Sequence, residues 1–103
     1  MPIPDPATLI DYQQRLERRL ELFARDDLAA LLARVPTSRV HEAAGRYVTR
    51  PSKRLLGMAF LVQHHTLGGT TPRDALIDIA ATLEIRHAAI LLHDDIVRRR
   101  LQR

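Results

Sequence analysis

In the stretch "EIRHAAILLHDDIVRRRLQR", residues 84 to 103, two aspartates are adjacent on a run of helical character. At about 100° per residue, His87, Leu91, Asp94 and Arg98 fall in one stripe, with Asp95 beside it. Neighbouring carboxylates presented to a cavity suit Mg²⁺, a hard ion that commonly binds through one or two carboxylates plus the phosphates of a ligand. The same spacing makes Asp94 with Arg98, and Asp95 with Arg99, acid-then-base pairs four residues apart, the favourable order on an exposed helix. Spacing alone favours this surface-pair reading, and Arg98, Arg99 and Arg100 also complement the negative end of a helix dipole. A second candidate is "SKRLLG". It places Lys53 and Arg54 in the first turn after a proline break, where free backbone N–H groups attract an anion. His87 taken alone reads as a core or rim histidine. His64, His65, Asp26 and Asp27 read as boundary or solvated residues. No Gly-rich phosphate loop, nucleophile elbow or zinc spacing is present.

The elements that must position these residues are helices. Asp5 followed by Pro6 reads as an N-cap with proline at the first helical position, and Leu9, Leu16, Leu20 and Phe23 follow at helical spacing. This first helix either continues through "DDLAALLAR" to Arg34 or breaks near Asp26, and Pro36 ends it. Ser38 opens a second helix whose buried face is Val40, Ala43, Ala44, Tyr47 and Val48. Pro51 interrupts, Ser52 is the next cap, and "KRLLGMAFLVQHHTL" runs to the stop signal Gly68 and Gly69. Because the middle of this third helix is apolar on every side, it is expected to be the central, most buried one. Thr71, Pro72 and Asp74 then start a fourth helix that passes Asp95. The expectation is an all-α array of four helices and three short turns, one domain over residues 1–103.

Composition narrows the function classes. Hydrophobic residues make up 46%, too many for disorder, while 4 glycines and 4% aromatics disfavour a turn-rich β domain. A formal charge of +4 brings polyanions into view, whether nucleic acid, anionic lipid or a diphosphate. The absence of cysteine removes disulfides and thiolate metal sites. The longest apolar run, "LLGMAFLV", is too short to span a bilayer, and a cytoplasmic location is expected.

Taken in order, "RPSKRLLG", a helix ending in "LGG" and then "EIRHAAILLHDDIV" resemble the amino-terminal part of the trans-isoprenyl diphosphate synthases, the polyprenyl synthetase family, over about residues 37 to 98. The resemblance implies the first helices of the isoprenoid synthase fold and a prenyltransferase chemistry, in which isopentenyl diphosphate condenses with an allylic diphosphate. It also implies that Asp94 and Asp95, matching the first two acids of the family's first acid-rich motif, hold Mg²⁺ on the allylic diphosphate. Lys53 and His87 match positions that contact isopentenyl diphosphate, and Arg54 matches the arginine after that lysine. There are departures. Arg98 stands where the motif's third acid belongs, which weakens Mg²⁺ binding, and Leu56 replaces a family arginine. The two glycines before the lysine are lacking, and the second acid-rich motif has no counterpart in these residues. The resemblance therefore implies a chain that is incomplete relative to the family and has little synthase activity alone. It implies, too, a homo-oligomer or an assembly with another synthase chain.

Three functions follow as expectations: the amino-terminal part of a polyprenyl diphosphate synthase, a non-catalytic partner subunit of such an enzyme, and a basic helical module for nucleic acid. The last ranks lowest, because the basic residues are spread over several helices without a recognition motif.

Overall fold

The computed structural model describes residues 3–33 and 38–101, without the side chains of 31, 32, 38–43 and 99–101. The Pro36 stop, the Ser38 cap, the inward Val40 and Ala43 and the side chains of Arg99 and Arg100 lie outside the described residues. Within them the chain is all-α. The Asp5 carboxylate accepts a hydrogen bond from the Thr8 backbone N–H at 2.7 Å and starts helix α1 (Pro6–Leu22) as its sequence implies. Hydrogen bonding from the Thr8 side chain, and then from its backbone N–H, holds the Asp5 carboxyl below its ordinary value.

The first rod neither breaks near Asp26 nor continues as a plain α-helix. A π-helical turn (Phe23–Asp27) joins α1 to a short α2 (Leu28–Leu32), with the Leu28 N–H bonded to the Phe23 carbonyl. The cause lies in the apolar spacing. Tyr12, Leu16 and Leu20 are buried at intervals of four. The next two apolar contacts, Phe23 and Leu28, are five apart yet face one cavity of about 120 Å³ beneath Tyr47, Val48, Ile85 and Leu92. In an α-helix such a pair diverges by about 140°; a turn of i→i+5 bonds realigns it.

Helices α3 (Ser38–Thr49), α4 (Leu55–Thr66) and α5 (Arg73–Leu101) complete four rods. Gly68, at φ 74°, ends α4 as the glycine pair implies, and its N–H bonds to the His65 carbonyl. The centre of the array is α5, not α4. Helix α5 packs against α1, α3 and α4, and Leu76, Ile77, Ala80, Ala81 and Ala88 bury one side of it. Its alanines let three neighbours approach. Although α4 is apolar all round, Leu55 and Leu56 are 72% and 49% exposed. No helix among the described residues is long and apolar enough to cross a membrane.

Exposed ion pairs join the two long helices: Arg15 and Arg73 flank Asp11, and Arg19 reaches Asp78 at 2.8 Å. Each is worth at most about 1 kcal/mol. The tighter constraint is Gly57. An added Cβ there would lie 2.9 Å from Leu16 Cδ2, 3.1 Å from the Ala80 carbonyl and 3.1 Å from Glu84 Cγ. Gly57→Ala is expected to cost about 2 kcal/mol through overpacking against backbone. Gly45→Ala, on α3 with nothing within 4 Å of the new Cβ, should instead gain roughly 0.5–1 kcal/mol from helix propensity. Urea unfolding of the two variants checks both signs, and equal effects would mean that the α4–α5 approach is loose.

Candidate functional site

Of the sequence-predicted residues, Lys53, Arg54 and His87 come together. They line a cleft of about 270 Å³ between the segment before α4 and the middle of α5. Asp94 and Asp95 line a second cleft of about 190 Å³ one turn farther along α5, with Arg98. Tyr47, Arg50 and Leu91 line both. The two clefts are therefore adjoining parts of one surface, built from the end of α3, the link to α4 and one face of α5.

The link differs from the sequence expectation. Helix α4 starts at Leu55, so Lys53 and Arg54 precede its first turn, and Arg54 is the N-cap in a left-handed conformation at φ 52° and ψ 47°. Ser52 Oγ accepts from the Arg54 N–H at 3.3 Å and so closes the link rather than capping the helix. For a side chain other than glycine this backbone costs on the order of 1–2 kcal/mol. It is held by the guanidinium: Arg54 Nε and Nη2 donate to the two Glu17 oxygens at 2.6 and 3.2 Å, with the arginine side chain only 4% exposed. The charge of Arg54 is thus already matched by α1, and its place in the cleft is structural.

The helix N-terminus expected to attract an anion already has one. Glu84, buried on α5, accepts a hydrogen bond from the Gly57 N–H at 2.9 Å, which satisfies one of the free donors at the start of α4. Glu84 also lines the Lys53 cleft. An incoming anion therefore meets Lys53, Arg50 and His87 at the rim, not the bare helix end.

In the second cleft the Tyr47 hydroxyl donates to Asp95 Oδ2 at 2.6 Å, and the Arg50 guanidinium lies 5.3 Å above the Tyr47 ring. Asp94 is exposed, and the His93 ring lies 4.0 Å from it. Among the described residues Asp94 and Arg98 form no ion pair, so the surface pairing that spacing favoured does not hold for them. The donor set fits Mg²⁺ only in part. One Asp95 oxygen is held by Tyr47, Asp94 is exposed, and Arg98 adds a cation to the same cleft. No group of three or more histidine or acidic side chains gathers as a metal site among the described residues. Oxygens from a bound phosphate would have to complete the shell.

His64 and His65 are boundary residues as read: His65 meets Tyr12 edge to face at 6.5 Å, and Asp26 and Asp27 pair with Arg25 and Arg19. Sequence reasoning missed Tyr47, Arg50 and Glu84 as site residues. Tyr47 carried a signal, since a tyrosine on a buried helical face needs a partner for its hydroxyl.

No family model, curated protein or solved structure matches the chain.

The ion pair beneath the site can be tested directly. Glu17→Ala strands the buried Arg54 charge and is expected to cost about 3 kcal/mol, the low end for a buried pair because Glu17 is partly exposed. The measurement is a lower urea midpoint at unchanged m-value. A shift equivalent to less than about 0.5 kcal/mol would mean that Arg54 is held by the backbone alone.

Proposed function

We propose that the chain binds the diphosphate group of an isoprenoid ligand, as the amino-terminal part of a polyprenyl diphosphate synthase. The observation that carries this reading is the shared wall of Tyr47, Arg50 and Leu91, which joins the Lys53–His87 cleft to the Asp94–Asp95 cleft. Residues more than thirty positions apart in sequence thereby line adjoining spaces, Lys53 and His87 in one and Asp94 and Asp95 in the other.

The chain's own groups divide the work. Lys53, with three donors on a flexible stem, grips terminal phosphate oxygens, and His87 donates from the opposite wall. Arg50, braced on the Tyr47 ring, reaches the boundary between the clefts. Tyr47 orients Asp95, and the exposed Asp94 carboxylate would meet a metal that arrives with the ligand. Mg²⁺ shared in this way supplies neutralisation of diphosphate charge, which in an allylic diphosphate favours departure of pyrophosphate. The cavity beside Ala88 and Leu92, with scarcely any polar lining, suits an apolar chain.

A second reading, a partner subunit that adjusts a larger synthase, draws on a different observation. Arg98 shares the cleft with both acids. Leu55, Leu56, Ile90, Ile96 and Val97 leave apolar area uncovered on α4 and α5. Nucleic-acid binding draws less support, because Arg15, Arg19, Arg25, Arg54 and Arg73 are all engaged with acids.

Calorimetric titration of the chain with an allylic diphosphate tests the proposal. Binding should require Mg²⁺, weaken about tenfold in Lys53→Ala, where one charge-assisted bond is lost, and lose its Mg²⁺ dependence in Asp94→Asn with Asp95→Asn. Affinity that is unchanged in all of these variants, or no heat of binding with Mg²⁺ present, would refute it.

A further inference from the structure

Helix α5 is apolar on two sides. One side, with Ile77, Ala80, Ala81 and Ala88, is buried against the other helices. At about 100° per residue, Ile79, Leu83, Ile90 and Val97 fall within a stripe about 40° wide that points away from that buried side. Ile79, Ile90 and Val97 are 46%, 50% and 41% exposed, and Leu83 is half-buried. The stripe runs about 27 Å along the helix. The outward face of a surface helix is ordinarily polar, so a continuous apolar stripe there calls for a covering surface.

The charges beside the stripe say what that surface is. Arg86 and Asp94 stand four residues to either side of Ile90, and Leu83 and Val97 stand seven residues to either side. Arg86 is exposed and forms no ion pair among the described residues. Asp94 is exposed as well, with only the His93 ring at 4.0 Å recorded as an ionic contact. Residues four apart form the ridges by which helices most often interleave. Arg86, Ile90 and Asp94 make one such ridge, cationic at one end, apolar in the middle and anionic at the other. Turned end for end, it is its own complement.

We propose that this face of α5 docks on the same face of a second copy of the chain, antiparallel, with Ile90 at the two-fold axis. Arg86 then meets Asp94 of the second copy about 6 Å from the axis on either side, while Leu83 and Val97 extend the apolar contact. A parallel pairing would set Arg86 on Arg86 and Asp94 on Asp94, and like-charge juxtaposition opposes it. One helix face from each copy buries an area at the small end of specific interfaces, below about 1,200 Å² in total, so the dimer is weak, with Kd on the order of 100 μM. Asp94 also belongs to the proposed metal cleft, so the second copy's Arg86 and a metal compete for it. The dimer itself does not rest on the diphosphate reading.

Sedimentation equilibrium of the full chain, in buffer containing a metal chelator, tests the proposal without that competition. From about 10 μM to about 1 mM the mass should rise from 11.7 kDa toward twice that value. Ile90→Asp, Arg86→Asp and Asp94→Arg should each weaken association at least about tenfold, and Arg86→Asp combined with Asp94→Arg should restore it to within about threefold. All three side chains are exposed in the single chain, so the variants report on association rather than folding. A mass that stays at 11.7 kDa over the whole range would overturn the proposal and leave the stripe to a different chain. A dimer indifferent to Ile90→Asp, or a combined variant that associates no better than the single ones, would overturn it too.

Discussion

The contact between the Glu84 carboxylate and the Gly57 N–H is the constraint from which the rest of the architecture follows. It joins the middle of the longest helix to the first turn of its neighbour through a charge-assisted bond in a buried place. The bond is possible because Gly57 has no side chain and α4 can settle against Leu16 and Ala80. Once α4 is seated, the preceding link must turn sharply. Arg54 takes up the left-handed conformation, and its guanidinium reaches Glu17 on α1. Three helices are thereby tied at one corner, and Lys53 projects from that corner beside His87.

Electrostatics at the corner then decide what the cleft can hold. Glu84 already satisfies a donor at the α4 terminus, and Arg54 is already neutralised. In the proposed site, recognition of an anion therefore falls to Lys53, Arg50 and His87, which are exposed at the rim. On the far side, Tyr47 ties the phenol of α3 to Asp95 of α5 and holds Arg50 above its ring. A ligand carrying both negative charge and a metal ion matches this division better than either alone. In the proposed binding mode the metal would meet carboxylate oxygens and the phosphates would meet cations, which is the logic of a Mg²⁺-diphosphate pair.

Much of this fold was legible in the residues. Asp5 with Pro6, Pro51, and Gly68 with Gly69 mark helix boundaries because each acts locally, through a cap, a missing donor or a positive φ. The π turn was not legible, since a five-residue interval between Phe23 and Leu28 reads equally as a broken helix until the facing helices are known. Nor was the central place of α5. Overall hydrophobicity points to α4, whereas burial goes to the helix whose alanines admit three neighbours. Within the site, the Asp94–Asp95 pair and Lys53 stood out by type and spacing. Glu84 did not, because its role depends on a crossing between α4 and α5 that no local pattern encodes, and Arg50 did not, because its place depends on how the end of α3 meets α5. Arg54 was legible as a basic residue at the right place, but its pairing with Glu17, 37 positions away, was not.

The central claim is that the two adjoining clefts form a single metal-diphosphate site. The most direct measurement is residue-resolved line broadening by Mn²⁺, which shares the oxygen preference of Mg²⁺, with and without inorganic pyrophosphate. The account predicts strong broadening at residues 94 and 95 that extends to residues 50–56 and to His87 only when pyrophosphate is present. Broadening that is the same with and without pyrophosphate, or that spreads over other exposed acids such as Asp26 and Asp74, would contradict it.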